Sequence, residues 1–256
     1  MQTFMWNRIL GLGLLLVLVT VVGCTDARAK VAPDVASSAA VTETTVAETK
    51  ESKQCRLENG KLAELPKSLS QYAKLRGIAR VEMQLTSGTV TLEVNGECAP
   101  VTAGNFIDLV KKGFYDGLTF HRVVREPQPF VAQGGDPQGN GLGAYVDPKT
   151  GKPRYIPLEI MLKDSPNRVP IYSKTLPPFQ EVVLTHQLGA LAMARSEFPD
   201  SASSQFYITL AEANFLDGNY AVFGRVIKGM DLVQKIVVGD RILSMKLVGG
   251  ADKLVF

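Results

Sequence analysis

The chain has 256 residues, a formal charge of +3 and 45% hydrophobic residues, with two histidines and three cysteines. A charge this close to balance gives no electrostatic footprint for nucleic acid, and no histidine sits at metal-ligand spacing from a cysteine or acid. About 200 residues follow the N-terminal segments, enough for one well-buried domain.

Arg8 precedes the uncharged apolar run Ile9 to Val22, which reads as an export signal over residues 1–23. The run has about 14 residues, short of the roughly 20 a permanent membrane helix needs. Val21-Val22-Gly23-Cys24 resembles a bacterial lipobox, in which the Cys24 thiol takes diacylglycerol and becomes a membrane-anchored N-terminus. Thr25 rather than Asp after that cysteine points to an outer membrane where the host has one. Residues 24–53 are Ala, Thr, Ser and Glu-rich, lack aromatics and read as a flexible tether. Export leaves Cys55 and Cys98 in an oxidising compartment, either as a disulfide or as two unrelated residues. Bonded, they would close a loop of about 44 residues and contribute roughly 4 kcal/mol in the chain-entropy account.

Residues 54–78 form an N-terminal extension. Val81, Met83 and Leu85 alternate with polar residues, Ser87-Gly88 supplies a turn, and Val90, Leu92 and Val94 alternate again, which predicts a β-hairpin with one buried face. Pro100 opens a helix whose Ala103, Phe106, Ile107 and Val110 make one apolar face before Gly113 ends it. Strand signals follow at Leu118 to Val124, Phe130 to Gln133, Val182 to Thr185, Ala190 to Ala194, Gln205 to Leu210 and Ala221 to Val226. Asp231 to Val237 predicts a second helix with Met230, Val233 and Val237 on one side. Leu243, Met245 and Leu247 alternate in a last strand, and residues 251–256 are a tail. The stretch between Gly135 and Pro178, rich in Gly, Pro and Lys, lacks phosphate-loop spacing and reads as a long surface loop suited to partner specificity.

The motifs that carry chemistry are Phe120-His121-Arg122, then Phe130-Val131-Ala132-Gln133-Gly134-Gly135-Asp136. Ser203-Ser204-Gln205-Phe206-Tyr207-Ile208, Asn214-Phe215-Leu216-Asp217-Gly218 and Val222-Phe223-Gly224 follow in order. In composition, order and rough spacing these resemble the cyclophilin-type peptidyl-prolyl isomerases over about Ala79 to Val248. The domain is assigned to residues 79–250. The resemblance implies an all-β dominated fold, a closed eight-stranded antiparallel barrel capped by two helices. It also implies isomerisation of X–Pro bonds in exported proteins, without a cofactor, by a monomer. The alternative is a proline-peptide chaperone or assembly module with little turnover.

Rotation about X–Pro needs no covalent step, only a donor that favours the twisted imide and a pocket for the ring. Arg122 is the candidate catalytic donor because its guanidinium stays charged and carries several N–H groups in a fixed fork. By resemblance, Phe130, Val131, Phe206, Phe215 and Leu216 line the pocket, with Tyr220 and His121 at its wall. Gln133, Gln205 and the backbone of Ala194 and Arg195 hold the peptide. Taken without the resemblance, Phe130, Phe206 and Leu216 read as core and Arg122 as a surface ion-pair partner. Two departures bear on geometry: Arg125-Glu126-Pro127-Gln128-Pro129 lengthens the Arg122-to-Phe130 connection, and Val131 and Phe215 stand where Met and Trp are common. Phe215 lacks the indole donor that helps many members bind cyclosporin A, so weak binding of that drug is expected.

Overall fold

The computed structural model describes residues 50–177 and 180–256. The predicted signal peptide, Cys24 and nearly all of the tether lie outside the described residues. A short helix, α1 (Lys50–Gln54), begins within the segment expected as tether and leads to Cys55. Cys55 is disulfide-bonded to Cys98, with Cα atoms 5.1 Å apart.

Alternating apolar residues build the predicted hairpin from β1 (Ile78–Leu85) and β2 (Gly88–Asn95), paired from Ile78 opposite Asn95 to Leu85 opposite Gly88. Val81, Met83, Val90 and Leu92 are fully buried. The other strands of the main sheet are β3 (Arg122–Val124), β4 (Val131–Gly134), β5 (Ala190–Met193), β6 (Phe206–Thr209), β7 (Val222–Lys228) and β8 (Ile242–Gly249). All eight form one antiparallel sheet in the order β8-β1-β2-β7-β5-β6-β4-β3. The ladder stops at β8 and β3, so the curled sheet is a half-barrel rather than a continuous ring of paired strands. Its edges are joined just ahead of those strands: Phe120 N–H donates to Asp240 O at 2.9 Å and Ile242 N–H to Leu118 O at 2.8 Å. Inside, Phe106 packs against Tyr115, Phe206 and Phe223 with ring centroids 5.1, 5.7 and 5.1 Å away.

Helix α2 (Pro100–Lys111) plugs the sheet, but it is buried from Pro100 through Val110 rather than on one face. The covering comes from the N-terminal extension, whose Leu69 and Leu75 join the same core. A Cβ at Gly104 would overlap the backbone of Ala73 and Lys74, so only glycine lets the two segments lie this close. Lys74–Leu75 in turn pairs with Leu254–Val255, which makes extension and tail working parts of the packing. At the helix N-terminus the buried Glu159 carboxylate accepts the N–H groups of Val101 and Thr102 at 3.1 and 2.8 Å and the Tyr172 hydroxyl at 2.7 Å.

Three local expectations change. The second helix is one turn, α3 (Met230–Val233), followed by tighter turns in which Lys235 and Ile236 N–H groups donate to Leu232 and Val233 O, and then by the Val237 N–H bond to the Asp240 carboxylate at 2.9 Å. Ile236, not Val237, is buried there. In β8 a bulge between Ile242 and Ser244 throws Leu243 outward and shifts the phase, so Ile242 and Met245 face the core. Val182 to Thr185 makes only an isolated bridge, Val182 with Leu162.

Candidate active site

Antiparallel register places one outward residue from each of five strands in a row: Arg122 opposite Gln133, Gln133 opposite Tyr207, Tyr207 opposite Ala192, and Ala192 opposite Val222. Inward neighbours of that row, such as Ala132, Phe206 and Leu191, belong to the core. The outward face carries its own apolar cluster of Val131, Ala190, Ala192, Tyr207 and Val222, with Phe130, Leu216, Ala194 and Tyr220 packed partly exposed against it. Phe215 is 70% exposed and stacks on Phe130 at 5.6 Å. Tyr220 meets Tyr207 edge-on at 6.1 Å. Together these side chains form a shallow apolar groove with one cationic edge.

Strand parity corrects one predicted site residue. Phe206 is fully buried among Phe106, Tyr115 and Phe120 and cannot line the groove. Its neighbour Tyr207 takes that place. A period-two count along Gln205-Phe206-Tyr207-Ile208, with Ile208 assigned to the core, would have found it.

Arg122 is exposed at the groove's edge, its guanidinium carbon 5.9 Å from the Phe130 ring centre. Its orientation descends from a loop through two carboxamides. Gln205 Nε2 donates to the carbonyls of Gly141 and Gly143 at 3.0 and 2.8 Å, and because carbonyls only accept, Gln205 Oε1 must face the other way. That oxygen accepts Gln133 Nε2 at 3.0 Å, which leaves Gln133 Oε1 to accept Arg122 Nη1 at 3.2 Å. The longer connection through Arg125 to Pro129 leaves this geometry intact, since β3 and β4 pair from Arg122 opposite Gln133 to Val124 opposite Val131.

Asp136 holds the loop that starts this relay. Burial works against its charge, but the N–H groups of Gln138, Gly141, Gly143 and Asn140 outweigh that and keep its carboxyl below the usual range. A Cβ at Gly143 would collide with that carboxylate. The segment read from sequence as a surface loop thus supplies, at its start, the fixed end of the amide relay. His121 lies against Gly141 of the same loop. Burial, opposed by Asp136 and aided by Arg122, holds its imidazole below the ordinary value, so His121 is kept neutral beside that loop.

Arg195 does not present its head to the groove. It donates to Asn219 O at 2.9 and 2.7 Å and to the carbonyls of Ser196 and Glu197, and lies 4.7 Å from the Tyr220 ring centre. This fastens the segment after β5 to the Tyr220 turn. The Ala194 N–H is spent on Gln205 O at 2.9 Å. Beside Gln133 and Gln205, away from Phe130, lies an open cavity of about 530 Å³ rimmed by Leu142, Tyr155 and Phe198.

The sequence matches the family of cyclophilin type peptidyl-prolyl cis-trans isomerases over residues 80–246. A putative thylakoid lumen peptidyl-prolyl cis-trans isomerase of Synechocystis is 41% identical over 204 residues, 75% of this chain and 52% of its own length. A chloroplastic peptidyl-prolyl cis-trans isomerase of Arabidopsis thaliana is 38% identical over 212 residues, 75% of this chain and 47% of its own. The chain therefore spans about half the length of these two curated relatives. A Cryptosporidium parvum cyclophilin, solved in the presence of the dipeptide Ala-Pro, superposes with a TM-score of 0.51 at 23% identity, covering 66% of this chain and 99% of that one. Motif order, half-barrel topology and sequence similarity agree, and the chain belongs to the cyclophilin type peptidyl-prolyl cis-trans isomerase family.

Proposed function

We propose that this chain is an exported, monomeric peptidyl-prolyl isomerase that accelerates cis–trans exchange of X–Pro bonds in polypeptides outside the cytoplasm. The observation that carries the reading is the Arg122 guanidinium, held by the Gln205–Gln133 relay at the edge of a groove walled by Phe130, Tyr207 and Leu216. The uncatalysed barrier is about 18–20 kcal/mol because the imide nitrogen shares its lone pair with the carbonyl. Twisting localises that pair, and an Arg122 N–H then gains an acceptor at the prolyl nitrogen or on the adjacent backbone. One charge-assisted bond supplies about 1.5–3 kcal/mol, whereas millisecond exchange needs roughly 6–7 kcal/mol of barrier reduction. The remainder comes from excluding water at the twisting bond and orienting the preceding carbonyl as it swings, while the groove walls anchor the prolyl ring.

Exchange spectroscopy on a proline tetrapeptide tests the reading. The full chain should collapse the slow uncatalysed interconversion, normally tens to hundreds of seconds, into rapid exchange at catalytic concentration. Saturable peptide binding with no acceleration would replace it with the chaperone reading.

Export is supported by the leader pattern ahead of Cys24 and by the thylakoid lumen and chloroplast names of the two relatives. In this proposal Cys24 carries the lipid that attaches the domain to an envelope membrane. Intact-mass analysis of native protein should give a diacylated form beginning at Cys24, and an unmodified product cleaved elsewhere would refute the anchor.

A further inference from the structure

His186 is fully buried and takes no part in the chemistry above, yet it joins two walls of the groove. One wall is the 3-10 turn Asn214–Leu216, which carries Phe215 and Leu216. The turn is bolted to His186 at both ends: Ala213 N–H donates to His186 O at 2.8 Å, and the His186 backbone N–H donates to Asp217 Oδ1 at 2.9 Å. The imidazole adds the cross-link. Its Nδ1 lies 2.6 Å from the same Asp217 oxygen, and its Nε2 lies 2.9 Å from the hydroxyl of Tyr207, the opposite wall.

The partners fix the proton. A carboxylate only accepts, so Nδ1 carries a hydrogen, and in the tautomer with its hydrogen on Nδ1 the Nε2 is the acceptor for the Tyr207 O–H. The two rings lie nearly parallel, 14° apart, which holds that bond's direction. Burial pushes the Tyr207 phenol well above its ordinary value, so its hydroxyl keeps the hydrogen that this bond needs. A buried histidine with all its groups satisfied is ordinarily a packing element. Here its bonds end on the residues that face the prolyl ring.

We propose that His186 is a positioning residue for proline binding: it sets the gap between Tyr207 and the Phe215–Leu216 turn. This rests on the groove being the proline site. The walls touch the ring equally before and during rotation, so His186 governs affinity, while Arg122 governs the rotation step.

The test uses the full chain and a proline tetrapeptide, with Kd from chemical-shift titration and exchange rates at low and saturating peptide. His186→Asn keeps a short N–H donor for Asp217 and removes the acceptor facing Tyr207. Kd and KM should rise about fivefold to tenfold, as the released walls lose part of their contact with the ring, with the saturated rate within about twofold of the parent. Adding Tyr207→Phe should cost less than the sum of the two single losses, because both changes remove the same bond. An unchanged Kd in folded His186→Asn, a loss confined to the saturated rate, or an independent further loss in the double variant overturns the proposal. Should His186→Asn fail to fold, ¹⁵N spectra of the parent decide: Nδ1 must be protonated, and Nε2 must be bare and shift on peptide saturation, whereas a protonated Nε2 or an unmoved one refutes the assignment. A parent that binds peptide without accelerating exchange refutes the isomerase reading alone, and the Kd comparison still decides the role of His186.

Discussion

Arg122→Ala separates catalysis from folding more cleanly than any other substitution in the groove. The side chain is exposed, and its hydrogen bond to Gln133 at 3.2 Å is on the surface, so its loss should move the unfolding midpoint little. The fork gives Nη1 to Gln133 and leaves its other N–H groups for the substrate. Losing one charge-assisted bond made in the twisted state costs about 1.5–3 kcal/mol, or roughly 10-fold to 150-fold in rate. A second bond to the peptide backbone would extend the loss toward about 1000-fold. Arg122→Lys should also be impaired, because an ammonium keeps the charge but cannot hold Gln133 and the prolyl region with one planar group. Exchange spectroscopy on a proline tetrapeptide gives the catalysed rate, and urea midpoints give stability. Full activity in a folded Arg122→Ala protein would refute the mechanism, and equal activity in Arg122→Lys would refute the part assigned to the fork.

Gln205→Leu should lower the catalysed rate roughly fivefold to tenfold with the apolar groove intact, since it frees Gln133 and so Arg122; an unchanged rate would mean the relay orients nothing. Burial pushes the Glu159 carboxyl above its ordinary value, against the Thr102 and Val101 N–H groups and the Tyr172 hydroxyl, so its stabilising effect is complete below pH 4.5 and lost as pH rises through the folded value. Urea midpoints of the parent should therefore fall relative to those of Glu159→Gln as pH rises toward neutrality, and parallel curves would exclude that titration. Cyclosporin A should bind the parent weakly and Phe215→Trp more tightly, because the exposed position gains an indole donor without touching the core. Equal affinity would remove the donor argument.

Elements defined by local pattern were legible in the sequence, and elements defined by remote partners were not. The hairpin at Ile78–Asn95 declares itself by alternation, and its register follows from the short turn. Helix α2 has a helical period, but its second buried face exists only because the extension returns over Gly104, which no local window reports. The same limit explains α3 and β8, where tighter turns and a bulge replace what an unbroken apolar pattern predicts. The motifs name Arg122, Phe130, Val131, Gln133 and Leu216, which the structure brings to one face of the sheet. Tyr207 was missed by one residue, and the dependence of Arg122 on Gly141 and Gly143 was hidden because it passes through Gln133 and Gln205, 72 residues apart in sequence.

The five-strand row separates the aim of the site from its lining. Each strand contributes one outward residue while its neighbours fill the core, so the positions of Arg122, Gln133 and Tyr207 are inherited from packing that their own side chains do not supply. A one-residue slip in β6 would exchange Phe206 and Tyr207, burying a hydroxyl away from His186 and exposing a core ring, and is therefore strongly disfavoured. Substitutions on the outward face, such as Val131 for Met or Phe215 for Trp, meet no such penalty: they reshape what the groove accepts and leave the strand geometry that aims the guanidinium unchanged.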